Sequence, residues 1–517
     1  MHKNDDRSGQ TRRQFLSTTA QTATLGAGLG LSAWASLTPK SQAEMRVPAR
    51  MVTFNDEIEP LVRMIEDSPR SACFEKVAAK FAQGVSYRQI MAAVYLAAIR
   101  NISPDPVGGA LHSVLVVHSC NHISLDAEPD DRMIPLFWAV DYFKQNQDRV
   151  PWKQGPPIKQ ASAGEKAIAE FRLGMERFDP ELADRGITGM ARTCGGGQIA
   201  EELWHYGARD YRPIGHKAVY SANAWRTLET IGRQHAEPTL RALARSLVGH
   251  GANNRTSGFT MDEQCYAANL QRVEANVARL PADWSLDKSA DAAVTELMAA
   301  IRSGDSAQAC QLALNQIMKS EQQSQGIWDA VHLAAGEIVY RQTSIRPIHA
   351  VTSANGLHYA FNAATADRTR LLILLQAVGW MAQFVTFISG DNRRPFPDRR
   401  LERMTPAELP ADSAAAIGEI AENLQSKPDL AARQAFAYAQ GQYPTSALFT
   451  AARRLIVAKA EESHRYKFPA AAMEDLNLIS PRWRAHFLAA MTYYLPGDST
   501  PDSAEVKNAR AALAAAV

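Results

Sequence analysis

The sequence predicts an all-α protein: one large helical body with internal helix–loop–helix repeats, a pseudo-symmetric bundle. Three observations carry this. Apolar residues recur at three- and four-residue spacing along most of the chain, and period-two alternation is almost absent. That places helix at about 60–70%, against about a third for ordinary proteins. The chain has 517 residues, 46% apolar and 21% charged, enough to bury a large core. A local pattern is also written twice, at residues 212–223 and 346–355.

Residues 1–43 stand apart from the fold. Thr11-Arg12-Arg13-Gln14-Phe15-Leu16 is the pattern of a twin-arginine export signal. A weakly apolar run from Ala23 to Leu37 follows, then a small-x-small cleavage site at Ser41-Gln42-Ala43. The run is too short and small-sided for a stable membrane span. Without the segment's five Lys/Arg and two Asp/Glu, the net charge moves from +2 to −1, which gives no reason to expect nucleic acid as a partner. The expectation is a periplasmic protein, with the twin-arginine machinery as a partner, exported already folded. Five cysteines (Cys73, Cys120, Cys194, Cys265 and Cys310) form no CxxC and no CxxCH. They read as buried small apolar groups, not as a zinc ribbon or c-type haem attachment.

Residues 44–517 read as a single α-helical domain with repeat units near 86–145, 198–248 and 327–390. Ser86 is a good N-cap for a long apolar helix to about Arg100, because its hydroxyl can accept an unpaired backbone N–H. A loop with two Pro and two Gly, residues 101–109, follows, and helices are expected at about 110–122 and 132–145. Residues 151–162 read as an exposed excursion. The Gly-rich stretch 186–197 ends in Cys194-Gly195-Gly196-Gly197 and feeds a helix over 198–209. It reads as a lid or a tight backbone approach; it lacks the Lys-Ser/Thr of a phosphate-binding loop. Helices follow to Gly232 and over 238–248, then a polar loop with His250 and Arg255. Residues 260–325 read as amphipathic helices. The strongly apolar residues 371–388 read as a core helix, with no second span or flanking positive cluster to support a membrane assignment. Residues 393–410 read as a loop, and the remainder as helix.

The repeat carries the functional argument. Arg212-Pro213-Ile214-Gly215-His216-Lys217-Ala218-Val219-Tyr220-Ser221-Ala222-Asn223 matches Arg346-Pro347-Ile348-His349-Ala350-Val351-Thr352-Ser353-Ala354-Asn355, with two single-residue insertions. Glu202-x-x-His205 precedes one copy and Asp329-x-x-His332 the other. A degenerate third copy places His112 seventeen residues after Tyr95, as His349 follows His332. Residues three apart share a helix face, so each carboxylate–histidine pair can reach one point. Such pairs on two helices form part of di-metal carboxylate centres. His118 and His122, four apart, also share a face. His349 and His358, nine apart, lie on opposite faces and should not share a site. The competing reading is buried histidines that tie helices together by hydrogen bonds. Trp138, Trp204, Trp225, Trp328 and Trp380 could line a pocket, but most should be core. No GxGxxG follows a strand, so there is no nicotinamide or flavin motif, and no Gly-x-Ser-x-Gly supports a hydrolase elbow.

Gly108-Gly109-Ala110-Leu111-His112, Pro347-Ile348-His349-Ala350-Val351-Thr352 with the apolar helix after it, and Glu462-Ser463-His464-Arg465-Tyr466-Lys467 resemble the questin oxidase-like family. The resemblance spans roughly residues 85–475. It implies a large α-helical protein that oxidatively opens aromatic polyketide rings by a Baeyer–Villiger-type step, with NADPH implicated. It points to His112, His349, His464 and Lys467 as site residues. Export would place this chain where NADPH is absent.

The functional expectation is an exported oxidase or oxygenase acting on a small aromatic or carbonyl-bearing molecule. His112, His216, His349, His464 and Lys467 are its candidate catalytic residues. Glu202, His205, Asp329, His332, His118 and His122 are its candidate ligands for iron, manganese or zinc. Two rival readings are a non-catalytic ligand- or haem-binding helical protein and a metal-dependent hydrolase.

Overall fold

The computed structural model describes residues 51–149, 152–212, 214–249, 261–391 and 393–516. The expected export signal, Pro213 and the loop with His250 and Arg255 lie outside them. Among the described residues there are 22 α-helices, 73% of the chain is helical, and there is no strand. The all-α expectation is met.

Local sequence explains where helices begin. Ser86 caps Tyr87–Asn101 by accepting the Gln89 backbone N–H, and the Gln89 side chain accepts the Ser86 backbone N–H, a reciprocal capping box. The stretch at 186–197 differs from its sequence reading. Helix Pro180–Thr193 runs through Gly186 and Gly189. A Cβ at Gly186 would stand 2.3 Å from the Phe171 backbone nitrogen, and one at Gly189 would stand 2.1 Å from the Ser162 carbonyl oxygen. These two glycines permit close helix packing.

One apolar core runs through most of the body, and a small second cluster around Ile420, Leu424 and Tyr438 lies under the helices after residue 413. Helix Asp367–Ser389 is long and apolar enough to cross a membrane, yet its apolar window is 89% buried in the protein. Apolar on every face and covered by neighbours, it is a core helix. Trp138, Trp204, Trp328 and Trp380 are buried there too.

Four helices position the site: α1 (His112–Leu125), α2 (His216–Ile231), α3 (Ile345–Ala363) and α4 (His464–Leu478). α1 packs on α2, α2 on α3, α3 on α4, and α4 back on α1, closing a ring. Contacts occur in matching order along all four. Histidines of the first two turns meet at one end, and Arg226 of α2 meets Asn355 of α3 and Glu474 of α4 further down. The four helices therefore run in the same direction, with their N-terminal ends together.

Small residues permit this approach. Gly215 precedes α2 with φ +80, a left-handed conformation that favours glycine. A Cβ there would also stand 2.4 Å from Ser353 Cβ on α3. At Gly356, a Cβ would stand 2.9 Å from the Ala218 carbonyl oxygen. Substituting either would push α2 and α3 apart where His216 and His349 face one another.

Candidate metal centre

α1, α2 and α4 each begin with a histidine, and α3 brings His349 from its second turn. The four ligand atoms of His112, His216, His349 and His464 lie within 4.8 Å of one another, and all four residues are buried. The imidazoles follow the helix ring. Neighbouring centroids are 4.9 Å apart for His112–His216, 4.5 Å for His216–His349, 4.9 Å for His349–His464 and 4.6 Å for His464–His112. The His112–His349 diagonal is 6.4 Å.

Hydrogen bonds fix the tautomers. His112 Nδ1–H donates to the Gly109 carbonyl at 2.7 Å, and His349 Nδ1–H donates to the Ile345 carbonyl at 2.5 Å. A carbonyl only accepts, so the proton sits on Nδ1 and each Nε2 presents a lone pair. His464 Nδ1–H donates to Glu462 Oε2 at 2.6 Å, leaving its buried Nε2 with no hydrogen-bond partner. His216 Nε2 lies 3.1 Å from His112 Nε2 and 3.1 Å from His349 Nε2. A neutral His216 has at most one proton there for two lone pairs. Protein hydrogen bonds alone therefore leave acceptor nitrogens facing one another in a buried space, an arrangement a cation would satisfy. Outward Nδ1–H bonds to carbonyl or carboxylate are also how metal-binding histidines are held in orientation.

Electrostatics keep the rings of His112, His349 and His464 neutral. Burial, with neighbouring Lys467 and histidines, holds His112 well below the usual imidazole range; burial, then His216 and Lys467, does the same for His349. Burial also lowers His464, against the pull of Glu462. Burial would raise Glu462, but hydrogen bonds from His464 and Tyr494 hold it down to about 2, an ionised acceptor. Lys467, one turn after His464, is 2% exposed, and its Nζ has no hydrogen-bond partner. Burial brings its amine down to about 7.

The other candidate ligands lie elsewhere, and the expected carboxylate–histidine centre needs correction. Glu202 is tied to the Arg172 guanidinium at 2.5 Å, and His205 Nε2 meets Tyr266 Oη at 2.7 Å. Asp329 accepts from Ser289, from Gln325 and from the Ser480 backbone. His332 Nε2 pairs with His358 Nδ1 at 2.8 Å, and its Nδ1 faces Asp475 Oδ2 at 3.4 Å. None of these joins the four-histidine group. The carboxylates pair with donors on neighbouring elements, so sharing a helix face with a histidine did not bring them to a common point. His118 and His122 are held with ring centroids 6.3 Å apart, both Nδ1 buried without partners, beside Arg226 and Glu474 and not at the cluster.

The two repeat segments do meet. His216 faces His349, and the matched Asn223 and Asn355 both accept from Arg226 Nη1, at 3.2 and 3.0 Å. Sequence reasoning did not find Glu462 as the orienting carboxylate, Arg226 as the shared partner of the two asparagines, or His358 as the partner of His332. The Glu462-x-His464 spacing was the visible signal for the first.

A small apolar cavity of about 60 Å³ lies on the opposite face of α4, bordered by Phe468, Ala472, Met473, Leu448 and Leu488. Fold and site together define an all-α protein with a buried four-histidine cluster able to hold a metal ion. No protein-family model, curated protein or solved structure matches this chain.

Proposed function

We propose that the protein is a metal-dependent oxidase or oxygenase, with iron held by His112, His216, His349 and His464. The observation that carries this is the convergence of Nε2 lone pairs whose Nδ1 partners are already bonded outward. The 3.1 Å separations of His216 Nε2 from His112 Nε2 and His349 Nε2 are close enough for these nitrogens to share one ion at the usual metal–imidazole length of about 2.0–2.1 Å. An all-imidazole set suits iron, copper or zinc better than manganese, which prefers carboxylate and water. Four nitrogens this close leave no plane for a porphyrin between them, which argues against haem.

When bound, such an ion supplies redox and Lewis-acid chemistry. The chain's residues do the rest. Glu462 orients His464, the Gly109 and Ile345 carbonyls orient His112 and His349, and burial keeps bulk water from the rings. Lys467 places an amine one turn from the ligands, where it can hold a proton or steady a developing negative charge. The likeness to questin oxidase-like proteins is part of the same proposal. Three cluster histidines and Lys467 are the residues it points to. Export by a twin-arginine signal fits a centre loaded before transport.

Oxygen uptake by metal-loaded protein against a panel of aromatic carbonyl compounds tests this reading. The expected result is substrate-dependent uptake that His216→Ala abolishes. Turnover that continues unchanged without oxygen would replace it with the hydrolase reading. Stoichiometric metal with tight ligand retention and no uptake would replace it with a binding function.

A further inference from the structure

Two of the five cysteines meet in the core, away from the histidine ring. Cys265 comes from helix Met261–Asn276 and Cys310 from helix Ser306–Met318. The two helices pack on each other, and both pack on the core helix Asp367–Ser389. Asn269 Nδ2 donates to Cys265 Sγ at 3.6 Å and to Cys310 Sγ at 3.5 Å. The two thiols also hydrogen-bond to each other. Gly379 of the core helix makes this meeting possible. A Cβ there would stand 2.6 Å from Cys265 Sγ and 3.2 Å from Cys310 Sγ, so both sulfurs use the space one methyl group would take. The other three cysteines lie against other groups: Cys73 near Lys144, Cys120 near Tyr87 and Cys194 beside Thr193.

Joining the two sulfurs leaves neither of their acceptors orphaned. Cys310 S–H donates to the Leu375 carbonyl at 3.1 Å, and Cys265 S–H donates to Gln376 Oε1 at 3.8 Å. The Leu375 carbonyl lies inside a helix, where the N–H four residues on already pairs it. Gln376 Oε1 keeps the Asn269 amide at 2.8 Å. Both acceptors stay satisfied once the thiol protons leave, so the usual cost of breaking a buried hydrogen bond does not arise.

We propose that Cys265 and Cys310 are an oxidisable pair that closes to a disulfide, stapling helix Met261–Asn276 to helix Ser306–Met318 beside Gly379. The oxidant class is a small peroxide. The Cys265 sulfur attacks one peroxide oxygen, the O–O bond breaks, and the departing hydroxide takes the thiol proton to leave as water. The Cys310 sulfur then attacks the Cys265 sulfenic acid, forming the S–S bond and releasing a second water. Two thiols and one hydrogen peroxide thus give one disulfide and two waters. Cys265 reacts first because it is 7% exposed, against 0% for Cys310. The hydrogen bond with Cys265, and then burial, hold the Cys310 thiol well above its ordinary range. Closure is therefore slow, and the bond is a lasting staple and not a rapid switch. The staple is independent of the metal centre and of the proposed oxygen chemistry.

Hydrogen peroxide is the probe, added to the full folded chain. The protein is then denatured, its remaining thiols are alkylated, and its tryptic peptides are mapped by mass spectrometry. Each of the two thiols lies in its own peptide, 256–272 for Cys265 and 303–319 for Cys310. The expected result is these two peptides joined, lighter by two hydrogens, and separated again by reduction. In Cys310→Ser, which nearly keeps the side-chain volume, the link should vanish and Cys265 should be trapped as its sulfenic acid by a dimedone-type reagent. The wild-type map decides the matter even if Cys310→Ser fails to fold. Full alkylation of Cys265 and Cys310 after peroxide would overturn the pair. So would a link from either one to a different cysteine, or Cys265 oxidised to its sulfinic acid with Cys310 still alkylated.

Discussion

Two buried histidine clusters share this fold, and they are built on opposite logic. In the first, His112, His349 and His464 spend their Nδ1 protons outward, on Gly109, Ile345 and Glu462, and turn Nε2 inward toward His216. In the second, His332 Nε2 and His358 Nδ1 bond to each other at 2.8 Å, His358 stacks on Trp328 at 4.1 Å, and Asp475 faces the other side of His332. One proton satisfies the bond between the second pair; the first has too few protons for its inward lone pairs. The lesson is directional. Burial is similar in both, and what marks the first as able to hold an ion is where its lone pairs point.

The largest expected difference between the clusters is in metal retention. His216→Ala should lose bound metal altogether, whereas His332→Ala should keep it. The latter should instead lose about 2–4 kcal/mol of stability, the cost of a cavity and an orphaned partner in a core. Elemental analysis beside denaturant unfolding separates the two, and metal loss in His332→Ala alone would reverse the assignment.

A sharper probe touches only the orientation of a ligand. Glu462→Gln keeps the shape and weakens the acceptor for His464 Nδ1–H. Metal affinity should fall about 10–100-fold, as for other partners behind a metal-bound histidine. Competition with a chromophoric chelator measures this; unchanged affinity would remove Glu462 from the centre.

Acid should act through the histidines outside the centre. Burial holds His332 down to about 3 and His205 down to about 4, from an ordinary 6.5. Unfolded chains bind these protons first, so folded stability is full above about pH 6.5 and falls as pH drops toward 4. Each group contributes about 3 kcal/mol at most to that loss. His205→Gln should flatten the slope of unfolding free energy between pH 6.5 and 4, and an unchanged slope would mean His205 titrates normally in the fold.

The smallest effect belongs to the carboxylate once paired with His205 by spacing. Glu202→Gln breaks a bond to Arg172, whose side chain is 59% exposed, and should cost no more than about 1 kcal/mol. Metal content should not change; a drop would bring Glu202 back into the centre.

The helical class was legible because three- and four-residue periodicity and caps such as Ser86 are local. The histidines of the centre were legible in part for the same reason. His216 and His349 sit in matching sentences, and those sentences meet face to face in the fold. The ligand set was not legible. Glu202–His205 and Asp329–His332 have the right spacing to share a helix face, but spacing does not say what stands opposite. Arg172 and Tyr266 meet the first pair, and Ser289 and His358 meet the second. Those partners come from distant elements, and only packing decides them. Glycines misled for a related reason. At 186 and 189 they ease helix contact rather than break the helix, a role set by Phe171 and Ser162.

The central claim is that four neutral imidazoles hold one metal ion at the head of a parallel helix ring. X-ray absorption at the metal edge, together with elemental analysis of the purified full chain, tests it most directly. The account predicts a stoichiometric metal, iron first, whose scattering shows imidazole nitrogens and is lost in His216→Ala. Folded protein that carries no stoichiometric metal and takes up none on reconstitution would contradict it.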